Sequence, residues 1–177
     1  RLSGVVLPAW RGHQGLEDLF APYEVPVFVD NDANLGALAE YWWGAGRGLE
    51  DFAYLKLATG IGSGHMIRGE IYRGATGVAG EIGHVSIDAN GAQCVCGNRG
   101  CLTTYVGSQA LVERAQALLG EYPGSPLHQG EVTVSAIEDA ALAADPLAMK
   151  VVEEAALYLG IVIAGVLNLM NPAMVIL

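Results

Sequence analysis

His84, Cys94, Cys96 and Cys101 lie within the run GEIGHVSIDANGAQCVCGNRGC, and they include every cysteine of the chain. One imidazole and three thiolates form a complete tetrahedral donor set for zinc. A site closed by four protein ligands leaves no position for a reacting water, so such a metal shapes a loop and performs no chemistry itself. Gly97 and Gly100 stand between the last two cysteines, where tight turns must wrap the thiolates round one ion. Two other readings compete. Three unrelated buried thiols beside a core histidine would be inert. A redox Cys-x-Cys pair leaves the nearby histidine and third cysteine unexplained. Three is also an odd number for a disulfide framework.

Three further motifs carry groups that can do chemistry. VDNDAN, residues 29–34, gathers Asp30, Asn31, Asp32 and Asn34. A carboxylate at the end of a strand can take a proton from a hydroxyl as general base. One of the same residues can equally cap a helix starting near Ala33. ATGIGSG, residues 58–64, offers glycines that let backbone N–H groups approach phosphate oxygens. It lacks the lysine of a Walker loop and the spacing of a dinucleotide fingerprint, and it also reads as a plain turn. In GEIGH, residues 80–84, Glu81 precedes His84 by three positions. Glu81 is a ligand contact, a partner of the metal histidine or a surface acid.

The elements that position these motifs read as an α/β domain. A short helix is expected at Leu16–Ala21 and a buried strand at Val25–Val29, ending in the acidic motif. A helix follows over Ala33–Trp43, stopped by Gly44, then a strand at Phe52–Leu57. The glycine-rich stretch Thr59–Gly64 is expected as a turn. His65–Ile67 and Ile71–Arg73 form strands joined at Gly69–Glu70, and Gly74–Gly80 is a loop. Ser108 is expected to cap a helix running to Leu119, and Gly120–Gly130 to be a surface loop. Helices follow at Val134–Ala144 and Pro146–Met170. The tail from Asn171 reads as a helix stop and a strand.

The chain has 177 residues, 52% of them apolar, with a net charge of −10. That is enough for one domain with a sizeable core. An acidic surface repels nucleic acid and anionic membrane, so DNA contact would require a separate segment. Free thiols suit the cytoplasm. The apolar run Ala155–Met170 is shorter than the roughly 20 residues that span a bilayer and contains Asn168, so it reads as a core helix. Both ends read as cut: the chain opens on Arg1 and closes on a strand with nothing after it.

Taken together and in order, VFVDNDAN, KLATGIGSGHMIRGEIYRG, AGEIGH, CVCGNRGC and LNLMNP resemble the ROK family of repressors, open reading frames and sugar kinases. The resemblance runs from about Pro8 to Leu177. It implies an actin-like, ribonuclease H-like ATPase fold, with residues 1–177 making mostly the C-terminal lobe and carrying a zinc-binding loop. It implies zinc on His84, Cys94, Cys96 and Cys101. It places Asn31, Asp32, Glu81 and His84 against a sugar, with Asp32 at the position of the family's catalytic base. Thr59, Gly60, Gly62 and Gly64 match its second phosphate loop.

Two departures stand out. The family's usual Glu two residues after the third cysteine is Thr103 here, which is shorter and lacks a pair of charged acceptors. The phosphate loop begins with Ala58 where the kinases have glycine. The run WWGAGRGLEDFAYLKLATGIG is more similar to the regulator branch, in which a winged helix-turn-helix precedes this region. The expectation is therefore a sensor of a sugar or sugar phosphate, reaching DNA only through a segment outside this chain. The alternative is an ATP-dependent hexose kinase using Mg-ATP, with Asp32 as base. The resemblance also implies a homodimer or homotetramer, and nothing points to a membrane.

Overall fold

The computed structural model describes residues 16–177. A 3-10 segment, Leu16–Tyr23, stands where the first short helix was expected. Val25–Val29 departs from expectation. It is extended chain outside the sheet, and Val25, Phe28 and Val29 are exposed, Phe28 to 88%. A β-branched run becomes a strand only where a neighbouring ladder takes its backbone groups. Among the described residues none does.

Helix α1, Asp32–Trp43, starts where the side chain of Asn31 accepts a hydrogen bond from the Ala33 N–H, and it stops at Gly44. Strands β1 (Phe52–Leu57), β2 (Ile61–Ile67) and β3 (Glu70–Ile71) form an antiparallel meander. The β2–β3 turn places Arg68 and Gly69 at φ of 53° and 75°, the left-handed pair that a two-residue hairpin with the right twist needs. The last strand, β4 (Met174–Ile176), runs parallel to β1, giving the order β3-β2-β1-β4.

The glycine-rich stretch is a turn only at its start. Gly62, Ser63 and Gly64 belong to β2, paired with Lys56, Leu55 and Tyr54. The reason is steric. A Cβ on Gly64 would lie 2.4 Å from the Ala33 carbonyl oxygen and 2.7 Å from the Ala37 Cβ. Gly64 therefore lets α1 lie directly on the strand.

Alternation along the strands sorts two faces. Phe52 and Met66 pack with Ala37 under α1. Ala53, Leu55 and Ile61 pack with Ile82, Leu102 and Val106 against Ala155, Val162 and Val166. Those last three lie on α5 (Pro146–Met170), which Asp145 caps through the Ala148 N–H and Asn171 ends in a left-handed conformation. Helices α2 (Thr103–Val106), α3 (Ser108–Leu118) and α4 (Val134–Leu142) complete the fold, with a second core of Leu118, Ile137, Leu147 and Val151 among α3, α4 and α5.

Four expectations change here. Helix α2 was not foreseen. The cap of α3 is Gly107 and not Ser108, whose side chain makes no capping bond. The Gly120–Gly130 loop is not wholly at the surface: Ser125 and Leu127 are buried, and the Ser125 hydroxyl donates to the Asp145 cap at 2.9 Å. Helix α5 is long and apolar enough to cross a membrane by length and composition, yet it is not wholly a core helix. One face packs on the sheet, while Leu157 and Leu169 are 72% and 86% exposed.

Candidate metal centre and neighbouring site

The metal donors come together as their spacing suggested. The donor atoms of His84, Cys94, Cys96 and Cys101 all lie within 4.8 Å of one another. The His84 Nδ1 is 3.4 Å from the Cys94 Sγ, and the Cys96 and Cys101 Sγ atoms are 3.6 Å apart. Tetrahedral zinc with bonds of about 2.0–2.3 Å has ligand edges of about that length. The residues therefore fit a zinc ion.

Local turns explain how. Ile82–His84 is a 3-10 turn that delivers the imidazole. The Cys94 N–H donates to the Asn98 carbonyl and the Gly97 N–H to the Cys94 carbonyl, closing a tight knuckle with Gly97 at φ +98°. Gly100, at φ +59°, cannot be otherwise, since a Cβ there would lie 1.8 Å from the Asp88 oxygen. An isolated bridge pairs Ser86 with Cys101 and leads into α2. The Tyr105 hydroxyl on α2 donates to the Asp88 carboxylate at 3.1 Å and anchors the loop from below.

Burial, and hydrogen bonds among the three sulfurs, push the Cys101 thiol up to about 12. A bound divalent cation reverses that balance and holds the sulfur as thiolate. Since Nδ1 faces the sulfurs, Nε2 is the ring atom of His84 left for another partner.

The other candidate groups collect round the β1–β2 hairpin. The N-terminal turn of α1 crosses β2 and is tied down on both sides. On one side Asp30 accepts both Nε and Nη2 of Arg73, at 3.0 and 2.6 Å, along with the Asn34 side chain. Partial burial works to raise the Asp30 pKa, but the hydrogen bonds from Asn34, Arg73 and the Asn31 N–H outweigh it and hold the carboxyl below its ordinary value. On the other side the Asp32 carboxylate pairs with the Lys56 ammonium. The cap reading of the motif thus falls on Asn31. The Asn31 side-chain oxygen is spent on the cap, and Asp32 points outward.

Thr59 and Gly60 sit at the hairpin tip, where a Cβ on Gly60 would meet open space. Gly62 and Gly64 lie in the strand beneath α1. The segment carrying Glu81 and His84 runs along the other edge of β2, with the Gly80 carbonyl bonded to the Ser63 N–H. Thr103 opens α2, and Gly107 packs beside both Thr103 and the Thr59 carbonyl. Asn31, Asp32, Glu81 and Thr59 are exposed, so they border an open surface and not a closed pocket. A cavity of about 550 Å³ lies elsewhere, between α2, α3 and α5.

Four polar residues at this site were not singled out from sequence: Lys56, Ser63, His65 and Arg73. For Lys56 the signal was present. Alternation along β1 puts it on the same face as Phe52 and Tyr54, beneath the acidic motif.

Comparison with known proteins agrees across nearly the whole chain. A family model described as the ROK family matches residues 7–177. A glucokinase of Halalkalibacterium halodurans is 38% identical over 174 residues, covering 95% of this chain and 53% of that protein. The xylose repressor of Bacillus subtilis is 35% identical over 168 residues, covering 95% of this chain and 41% of the repressor. The solved structure of a ROK family glucokinase from Streptomyces griseus, in complex with glucose and AMPPNP, superposes with a TM-score of 0.84 at 34% identity, covering 92% of this chain and 55% of that one. The chain thus spans about half the length, or less, of these relatives.

Proposed function

This chain belongs to the ROK family, whose kinases and regulators share an actin-like ATPase fold, and on that premise we propose that it is the sugar-sensing part of a transcriptional regulator. A sugar or sugar phosphate binds beside the hairpin. Asp32 accepts a hydroxyl hydrogen, the Asn31 amide and His84 Nε2 reach neighbouring oxygens, and Glu81 accepts from the other side. Zinc on His84, Cys94, Cys96 and Cys101 holds the segment that presents Glu81. Binding shifts the population of conformers in a longer, cytoplasmic, oligomeric protein whose DNA-binding segment responds.

The observation that carries this reading is the meeting, at one hairpin, of the acidic turn of α1 and the segment 80–84 that carries Glu81 and His84. Three residues favour a sensor over a kinase. Lys56 occupies the carboxylate that phosphoryl transfer would use as base. Thr103 and Ala58 replace a sugar-binding acid and a phosphate-loop glycine. The second reading, a hexose kinase, rests on Asp32 and Thr59 being in place and on the 38% identity to a glucokinase.

The test is calorimetry on the full-length, zinc-loaded protein. The panel is glucose, xylose, N-acetylglucosamine and their phosphates, each with and without Mg-ATP. Binding without ADP formation, together with a sugar-dependent change in DNA affinity, supports the sensor. Sugar-dependent ADP formation makes the protein a kinase. DNA affinity unchanged at saturating sugar removes the regulator reading.

A further inference from the structure

Inside β2 lies a polar pair that no step above uses. Ser63 and His65 are 2% and 6% exposed and share the face occupied by Ile61. Their neighbours on that face, Ala53, Leu55 and Ile61, are apolar. Burying a hydroxyl and an imidazole there is costly unless both are hydrogen-bonded. The bonds they make all lead to one atom.

The Ser63 hydroxyl donates to the Gly80 carbonyl oxygen at 3.0 Å. Its proton being spent, the same hydroxyl accepts the His65 Nε2–H, at 2.8 Å. The Ser63 and Ile82 N–H groups both donate to that same oxygen, each at 2.8 Å. Gly80 thus receives three donors from two directions.

The approach is close enough to demand glycine. At φ +95° a Cβ on Gly80 would lie 2.0 Å from the Ser63 carbonyl oxygen. Three residues on, a Cβ at Gly83 would lie 2.3 Å from the Ile61 carbonyl oxygen. The segment from Gly80 to His84 is therefore pressed on β2 at two points, and the polar pair fastens the first. Glu81 follows that fastening directly, and the His84 N–H donates to the Glu81 carbonyl at 3.0 Å.

We infer that Ser63 and His65 are positioning residues that, through the Gly80 carbonyl, hold Glu81 toward bound sugar and His84 toward the metal. The half that concerns Glu81 rests on the sugar-binding reading above; the half that concerns His84 does not. The second half of the glycine-rich motif then serves the sugar and metal side of the site.

The test uses the full-length, zinc-loaded protein and the variants Ser63→Ala, His65→Leu and His65→Gln. Glutamine keeps an N–H donor near the position of Nε2, and leucine keeps bulk without one. Two quantities are read: the Kd for whichever of glucose, xylose, N-acetylglucosamine or their phosphates binds the wild type, and the rate of zinc release to excess chelator. Removing partners behind a metal or ligand contact commonly costs about 10- to 100-fold. Ser63→Ala and His65→Leu are expected to weaken sugar binding about tenfold or more and to speed zinc release. His65→Gln is expected to recover most of both. The double variant should be no worse than Ser63→Ala alone, because both act through one hydroxyl.

Wild-type Kd and release rate in folded Ser63→Ala and His65→Leu would overturn the inference, even if their melting temperatures fell. Ser63→Ala removes one oxygen, so it decides the matter if the leucine variant does not fold. If the wild type binds none of the sugars, the sugar-binding reading falls and the release rate alone decides. Faster release restored by glutamine then upholds the positioning of His84, and an unchanged rate overturns it.

Discussion

The Lys56 ammonium donates to the Asp32 carboxylate across 24 positions of sequence, where the first turn of α1 passes over the end of β1. The two side chains are 34% and 68% exposed, so the pair contributes no more than about 1 kcal/mol. Its effect is directional: it aims the carboxylate and occupies one oxygen. A hydrogen bond donated by a sugar hydroxyl to the charged Asp32 carboxylate is worth about 1.5–3 kcal/mol. Asp32→Asn should therefore lose roughly 10- to 100-fold in sugar affinity by calorimetry. Lys56→Met should lose less than about fivefold and leave the melting temperature nearly unchanged. Equal losses in both variants would mean that Lys56 is itself a ligand contact.

Removal of the metal should open the loop before it unfolds the domain. The segment from Val85 to Leu102 is also held by the Leu102 N–H on the Val85 carbonyl, the Ile87 N–H on the Gly100 carbonyl, and Tyr105 under Asp88. Chelation is expected to lower the melting temperature and raise amide exchange over residues 85–101, with β1 and β2 still protected. Cys101→Ser places a hydroxyl where a buried thiolate is required, and metal affinity should fall by about 100-fold or more. Elemental analysis of the purified protein should give one zinc per chain. Absence of zinc, with no chelator effect, would remove the metal reading.

What was legible in the sequence followed from short-range chemistry. Pro146 and the Asn171-Pro172 stop marked the ends of α5 within the chain itself, and β1 was bounded correctly by its apolar and aromatic content. The four metal donors were legible because ligand type and spacing are almost the whole specification of such a site. Three features were not legible, because each depends on a partner far away in sequence. Val25–Val29 has strand composition, but among the described residues no ladder lies beside it. Gly64 looks like part of a loop until α1 is seen lying on it. Ser63 reads as part of a turn, and His65 as strand filler, until Gly80 is brought alongside.

The glycines separate packing from ligand binding, which gives a third test. Gly64→Ala drives a methyl group into the Ala33 carbonyl and the Ala37 side chain. It should cost about 1–3 kcal/mol, or several degrees of melting temperature. Gly60→Ala meets nothing within 4 Å and should leave stability nearly unchanged. Any phosphate contact at the hairpin tip would then appear in Gly60→Ala as weaker Mg-ATP or sugar phosphate binding in a protein of normal stability. A large stability loss in Gly60→Ala would contradict the open geometry of the tip.

The pH dependence of stability should show two separate limbs. Burial lowers the pKa of His65 from its ordinary 6.5, so the folded state keeps the imidazole neutral where the unfolded chain already binds a proton. The unfolded state therefore carries the excess proton between the lowered folded value and 6.5, and stability falls as pH drops through that window. Above 6.5 the His65 contribution is fully present and flat. Asp30 acts lower down. Its folded pKa lies below 3.8 despite partial burial, because Asn34, Arg73 and the Asn31 N–H favour the carboxylate. Its contribution is present above 3.8 and is lost as pH falls through the folded value. Denaturant titrations of the wild type and His65→Leu at stepped pH should show the wild type losing stability relative to the variant as pH falls from 6.5 toward the lowered folded value. Below that window the curves should run parallel, with the Asp30 limb common to both. A difference that stays constant across the upper window would show that the imidazole of His65 is solvated or charged in the fold, contrary to its place beneath the Ser63 hydroxyl.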